Sequence, residues 1–208
     1  MEDARELAKR IEKLISKGLP GEKAHAKMLP EGRMATFSYS DKESAVLLLL
    51  YLKSNSWFIV LMKRKEYDGH HSGQISFPGG KKNPLDKSLL KTALRETREE
   101  TGVDASGSLI AGALSPVHIP VSGFVIHPFI AILDYLPVFL PDMNEVEYLI
   151  EVPLRILIEP TVFKIKKMEL RNTELNVPYF DVQNEVIWGA TAMILNEFLD
   201  LFTQATSD

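Results

Sequence analysis

The sequence predicts one mixed α/β domain, on three observations. Its 208 residues, 45% hydrophobic and 25% charged, have the composition of a soluble globule long enough to bury a large core. Short apolar runs with strand character lie between segments of helical period. No repeat, low-complexity tract or linker rich in Gly and Ser divides the chain.

The elements follow in order. Ala4, Leu7, Ala8, Ile11, Leu14 and Ile15 recur at helical spacing until Gly18 and Pro20 stop them, so residues 1–20 read as an N-terminal helix packing on a domain of residues 21–208. Residues 21–43 read as irregular, with Pro30 and Gly32 as punctuation. Ala45–Leu52 and Trp57–Arg64 are strands, and the polar link Lys53–Ser56 makes them a hairpin. Further strands are expected at Ser108–Leu114, Phe124–Leu133, Val162–Met168 and Glu185–Trp188. A last helix, Ala190–Phe202, carries Ile194, Leu195, Phe198 and Leu199 on one face. Met62, Phe77, Trp188 and Phe198 are read as core residues.

Composition excludes several classes. The absence of cysteine rules out a disulfide scaffold, a thiol nucleophile and a Cys-based metal site. A net charge of −4 argues against a nucleic-acid binder that works by counterion release. The first 14 residues are charged from Glu2 onward, and the longest clean apolar run falls far short of the roughly 18 residues of a membrane span. A cytoplasmic protein that contacts neither membrane nor nucleic acid is expected. The apolar terminal helices suggest a homodimer.

Residues 73–102 carry the chemistry. Pro78-Gly79-Gly80 is a turn where backbone can approach a ligand closely. Asp86 or Ser88 can cap a helix, and Gly102 suits the left-handed position past its end. Leu90, Ala93, Leu94, Thr97 and Thr101 line one face, and Glu96, Glu99 and Glu100 share an arc beside it. Like charges at these spacings, near the negative end of the helix dipole, disfavour the helix by about 0.3–1 kcal/mol each. A cation occupying the arc relieves that cost, and carboxylate oxygens suit Mg²⁺ or Mn²⁺. Arg95, one turn before Glu99, can orient it or pair with Asp86. Between residues 81 and 100, basic residues precede acidic ones, so the loop favours phosphate and the last turns favour a cation.

This segment resembles the Nudix box, Gly-x5-Glu-x7-Arg-Glu-hydrophobic-x-Glu-Glu-x-Gly-hydrophobic. Here Gly80 precedes Asp86 by the same spacing, and Arg95-Glu96-Thr97-Arg98-Glu99-Glu100-Thr101-Gly102-Val103 follows after one extra residue, so the box spans 80–103. Asp86 replaces the first Glu, and Thr97 takes a normally aliphatic position. The longer spacing, the Asp and Ala93–Thr97 resemble the coenzyme A pyrophosphatase branch of the family. So do Leu61, Met62, Arg64, Gly73 and Phe77–Gly80 upstream, and Ile119–Gly123, Asn144–Val146, Val152–Leu154 and Ile187–Ala192 downstream. Gly69 stands where that branch has a second Arg.

The resemblance implies an α/β/α sandwich with a mixed β-sheet. It also implies divalent-metal-dependent hydrolysis of the diphosphate of coenzyme A or a derivative. The metal, Mg²⁺ or Mn²⁺, falls to Glu96, Glu99 and Glu100; Glu99, Arg95 and Glu145 are the catalytic candidates, with Glu145, Glu99 or a metal hydroxide as base. Lys63, Arg64, Gly79, Gly80 and His71 are the substrate-binding candidates. The alternatives are a Nudix hydrolase acting on ADP-ribose, a dinucleotide or another nucleoside diphosphate derivative, and a non-catalytic nucleotide-binding module.

Overall fold

A computed structural model describes residues 3–32, 42–66, 73–120, 122–170 and 173–207. The N-terminal helix α1 (Ala4–Lys17) begins at Asp3, whose carboxylate accepts the Glu6 N–H, and ends at Gly18. It buries Leu7 and Ile11, as the spacing predicts. The segment expected to be irregular contains a one-turn helix, α2 (Glu22–Ala26).

Strands β1 (Lys42–Lys53) and β2 (Ser56–Arg64) form the expected hairpin. Ser54 and Asn55 both take positive φ, +49° and +62°, the two-residue turn whose twist matches the strands it joins. Short strands β3 (Ile75–Ser76) and β4 (Gly79–Lys81) pair with β2 and β1 respectively. Helix α3 (Leu89–Thr101) follows, then β5 (Leu109–Ala113), β6 (Val117–Ile119), β7 (Phe124–Ile132) and β8 (Val146–Pro153). The path β3-β2-β1-β7-β5 is mixed, because β1 runs parallel to β7 and antiparallel to β2 and β4. After the short α4 (Leu154–Leu157) come β9 (Phe163–Glu169), β10 (Glu174–Val182) and β11 (Glu185–Ile187) in a smaller antiparallel sheet. Helix α5 (Gly189–Thr206) completes the fold.

The main sheet is covered on both faces. Ala45, Leu47, Leu49, Tyr51 and Val60 pack with Ala93 and Leu94 of α3. Leu48, Leu50, Ile59 and Leu61 point the other way, into a larger core with Leu7 and Ile11 of α1 and Leu195 and Phe198 of α5. Strand alternation thus divides β1 and β2 between two cores, giving the α/β/α sandwich. The apolar faces of α1 and α5 are spent in this core, so a dimer must use another surface.

Five strands escaped the sequence reading: the short β3, β4 and β6, and the longer β8 and β10. In β8 the apolar and charged residues are too interleaved to form a run. In β10 Pro178 argues against a strand. That proline is tolerated because β11 pairs only with Phe180–Val182, so at Pro178 the strand has β9 alone as neighbour.

Candidate active site

Helix α3 brings the acidic arc to one end of the sheet. Ser88 caps it by accepting the Lys91 N–H, and Gly102 closes it at φ +76°. Ala93, Thr97 and Thr101 are buried, and that fixes the helix's rotation. Glu96, Glu99 and Glu100 then lie at three different depths: their side chains are 16%, 58% and 2% exposed.

The Gly-Gly turn is shaped around these carboxylates. The Gly79 N–H donates to Glu100 Oε2 at 2.7 Å. A Cβ at Gly80 would lie 2.4 Å from Glu96 Cδ, so only glycine leaves room for that carboxylate. Arg64 Nη1 approaches Glu100 Oε1 at 3.6 Å, from a strand end where the β2–β8 register shifts. Such a bulge commonly re-aims a side chain beside a site.

Arg95 is the electrostatic hub. It grips both oxygens of Asp86 through Nε and Nη2 at 3.1 and 3.0 Å, and Nη2 also donates to the Lys81 carbonyl. Its Nη1 lies 2.8 Å from Glu96 and 2.9 Å from Glu99. Both options read from the sequence, orienting Glu99 and pairing with Asp86, are therefore realised together. Asp86 also accepts from the Asn83 N–H and the Thr92 hydroxyl, so it ties loop to helix while Ser88 serves as the cap.

The charges perturb one another. Burial pushes Glu100 up to about 8, against the Gly79 N–H and the Arg64 charge, and Glu96 and Glu145 add to the rise. Burial also raises Glu96; Arg95 opposes this, and Glu99 and Glu145 reinforce it. The Arg95 hydrogen bonds hold Asp86 far below the usual carboxylate range. Glu145, exposed at the start of β8, is thus close enough to act on both Glu96 and Glu100.

Not every predicted site residue gathers here. Lys63 projects from the opposite face of β2 and pairs at 3.2 Å with Glu185, which also accepts from the Tyr148 hydroxyl. His71 and Gly69 lie outside the described residues. A cleft of about 1340 Å³ opens from Arg64, Gly79 and Gly80 toward Trp188 and the start of α5. The sequence reading singled out neither Lys42 nor Phe124, which line the cleft from separate strands and share no motif. Trp188, read as core, lines the cleft instead.

The donor set suits a hard divalent cation. Among the described residues no three acidic or imidazole groups already form a metal cage. Mg²⁺ and Mn²⁺ do not require one, because they retain waters and recruit phosphate oxygens alongside one or two carboxylates. Clustered, mutually repelling glutamates beside a tight glycine turn fit that mode of binding.

Comparisons with known proteins agree with this geometry. The NUDIX domain profile matches residues 41–146. Nudix hydrolases named NudL from Yersinia pestis and Yersinia pseudotuberculosis, both described as uncharacterized, are 31% identical over 159 residues, covering 76% of this chain and 79% of theirs. The MutT protein of Methanosarcina mazei shares the fold at 17% identity and a TM-score of 0.50, over 83% of this chain and 97% of its own. A profile spanning the acidic helix and its glycine turn, with relatives aligned over most of their length, makes this chain a member of the Nudix hydrolase family, enzymes that act on pyrophosphate bonds.

Proposed function

We propose that the protein hydrolyses the diphosphate of coenzyme A or its derivatives, giving 3′-phosphoadenosine 5′-phosphate and (acyl-)4′-phosphopantetheine. Nudix hydrolases generally use divalent metal ions such as Mg²⁺ or Mn²⁺. In this reading Glu96, Glu99 and Glu100 hold the ion, which supplies charge neutralisation at the diphosphate. Arg95 positions Glu96 and Glu99, and Arg64, Gly79 and Gly80 face the phosphates. Glu145 takes a proton from the attacking water as its oxygen bonds to one phosphorus. The P–O bridge breaks, and the departing phosphate keeps the electron pair. The N-terminal helix and residues 21–208 act as one catalytic unit. No helix among the described residues is long and apolar enough to cross a membrane, which is compatible with a cytoplasmic site of action.

The observation that carries this reading is the cleft. Its volume of about 1340 Å³ exceeds the roughly 300–1,000 Å³ of ordinary small-ligand pockets. It is charged where Arg64 and the glycine turn lie, and apolar along Ile75, Phe77, Ile119, Trp188 and Met193. A nucleoside diphosphate with a long, weakly polar arm matches both ends. The test is to incubate the protein with coenzyme A, ADP-ribose and NADH in Mg²⁺ and identify the products. Cleavage of coenzyme A into the two phosphomonoesters supports the proposal. Turnover of ADP-ribose or NADH alone overturns it in favour of another diphosphate, and binding without turnover marks a non-catalytic module.

A further inference from the structure

The segment between β7 and β8 ties Glu145 to the helix that carries the acidic arc. Where it meets the C-terminus of α3, the Leu140 N–H donates to the Thr101 carbonyl at 2.9 Å and the Asp142 N–H to the Glu100 carbonyl at 3.2 Å. These carbonyls belong to the last turn, where the helix has no N–H groups of its own to offer them. The approach is close: a Cβ at Gly102 would lie 2.8 Å from the Leu140 carbonyl oxygen.

Asp142 then opens a turn onto Glu145. Its carbonyl accepts the Glu145 N–H at 3.1 Å and the Val146 N–H at 2.9 Å. Its Oδ1 accepts both the Asn144 N–H, at 2.9 Å, and Asn144 Nδ2, at 2.8 Å. A carboxylate that accepts the N–H two residues on stabilises a turn, and its charge strengthens the bonds. On the other flank the Glu145 carbonyl accepts the Lys65 N–H at 3.1 Å, and the fully buried Val146 pairs with Arg64.

One residue therefore joins the two parts of the site. The Asp142 backbone reaches Glu100 through its N–H and Glu145 through its carbonyl. Glu145 is exposed and repelled by the inner glutamates, whose protonation it favours, so its place beside them depends on the backbone that carries it. Both bonds accepted by Asp142 Oδ1 stay inside the turn, so what that carboxylate shapes is the approach to Glu145.

We propose that Asp142 is a positioning residue, whose carboxylate, clamped on Asn144, fixes the turn that holds Glu145 at the acidic arc. The inference rests on the reading of Glu145 as the base and deepens it. Asp142 acts through the backbone of the turn.

The test compares the full chain with its Asp142→Ala, Asp142→Asn and Glu145→Gln variants and with the double variant of Asp142→Ala and Glu145→Gln. Turnover is measured on coenzyme A, or on whichever diphosphate the product panel shows to be cleaved. Asp142→Ala lowers kcat at least about tenfold with KM within about twofold, because a small displacement of a reacting group costs rate rather than binding. Asp142→Asn, which keeps the Oδ1 acceptor, restores most of the rate. In the Glu145→Gln background Asp142→Ala costs nothing further, as two residues acting through one group must behave. Hydrogen exchange over residues 142–146 is at least about fivefold faster in Asp142→Ala and returns to the wild-type rate in Asp142→Asn, while Tm stays within about 4 °C. Wild-type kcat or unchanged exchange in Asp142→Ala, or an equal proportional loss in the two backgrounds, overturns the inference. Failure of the base assignment looks different: Glu145→Gln itself then keeps wild-type turnover. Cleavage of another diphosphate in place of coenzyme A, with the same pattern among the variants, overturns the substrate and leaves the role of Asp142 supported.

Discussion

The two glycines of the turn are expected to fail differently when a methyl group is added. At Gly80 the new Cβ would sit 2.4 Å from Glu96 Cδ and 2.5 and 2.7 Å from its oxygens, whereas ordinary contact begins near 3.4 Å. The carboxylate must retreat by about 1 Å, and because it ends a flexible side chain the fold loses less than about 1 kcal/mol. Under the proposed function Glu96 is a metal ligand, and a displacement of that size costs on the order of 100-fold in rate. At Gly79 the Cβ would meet the Ala45 carbonyl oxygen at 2.3 Å and Val46 Cα at 2.6 Å, with φ at +152°. Those are backbone atoms of β1 and cannot step aside. Gly79→Ala should cost about 3–5 kcal/mol in overpacking and strain, a fall of roughly 10 °C in Tm for a domain of this size. The assay is turnover of coenzyme A and Mn²⁺ binding by electron paramagnetic resonance, alongside melts of both variants. Gly80→Ala with wild-type turnover and Mn²⁺ affinity, or with a Tm as low as that of Gly79→Ala, would refute the reasoning.

Three further outcomes are expected. Thr97 is fully buried, and its hydroxyl has no partner among the described residues, so Thr97→Val should stabilise the fold by about 1 kcal/mol and raise Tm by a few degrees; an unchanged or lower Tm counts against this. Glu197 on α5 is fully buried and accepts from His25 at 3.0 Å, the Ser115 hydroxyl at 2.7 Å and the Gly21 N–H at 3.0 Å. Burial raises its pKa, but these partners together hold it below the usual carboxylate range. Its contribution to stability is therefore complete above the unfolded value near 4.5 and lost as pH falls through the folded value. Glu197→Gln should cost about 2–3 kcal/mol at pH 7, with a gap from wild type that narrows below pH 4.5; a constant gap in urea titrations across that range would contradict the assignment. Glu99→Gln should lower turnover at least about 100-fold and leave Tm nearly unchanged, since an exposed pair with Arg95 is worth at most about 1 kcal/mol. Retained activity in a normally folded variant would remove Glu99 from the site.

What could be read in advance followed the range of the interactions. The spans of α1, α3 and α5, the β1–β2 hairpin, and β5, β7, β9 and β11 were legible within a residue or a few at each end. Each carries its signal within a few positions: a periodic face, a cap, a pair of turn residues. β10 was hidden by Pro178, whose acceptability depends on how far β11 extends. Lys63 and Arg64, adjacent and equally basic, were indistinguishable as substrate ligands. The sheet sends Arg64 toward Glu100 and Lys63 toward Glu185.

By itself the sequence determined the acidic helix, its caps at Ser88 and Gly102, and the common arc of Glu96, Glu99 and Glu100, because helical spacing and capping act within one or two turns. Only tertiary structure decided that Glu100 is buried on the Gly79 N–H, that Glu145 stands close to both inner glutamates, and that Lys42, Lys81 and Phe124 share a corner of the cleft. Those relations join residues tens of positions apart through the pairing of β1 with β4 and β7 and of β2 with β8. Strand register exists only once the sheet has formed, and it sets which side chains meet.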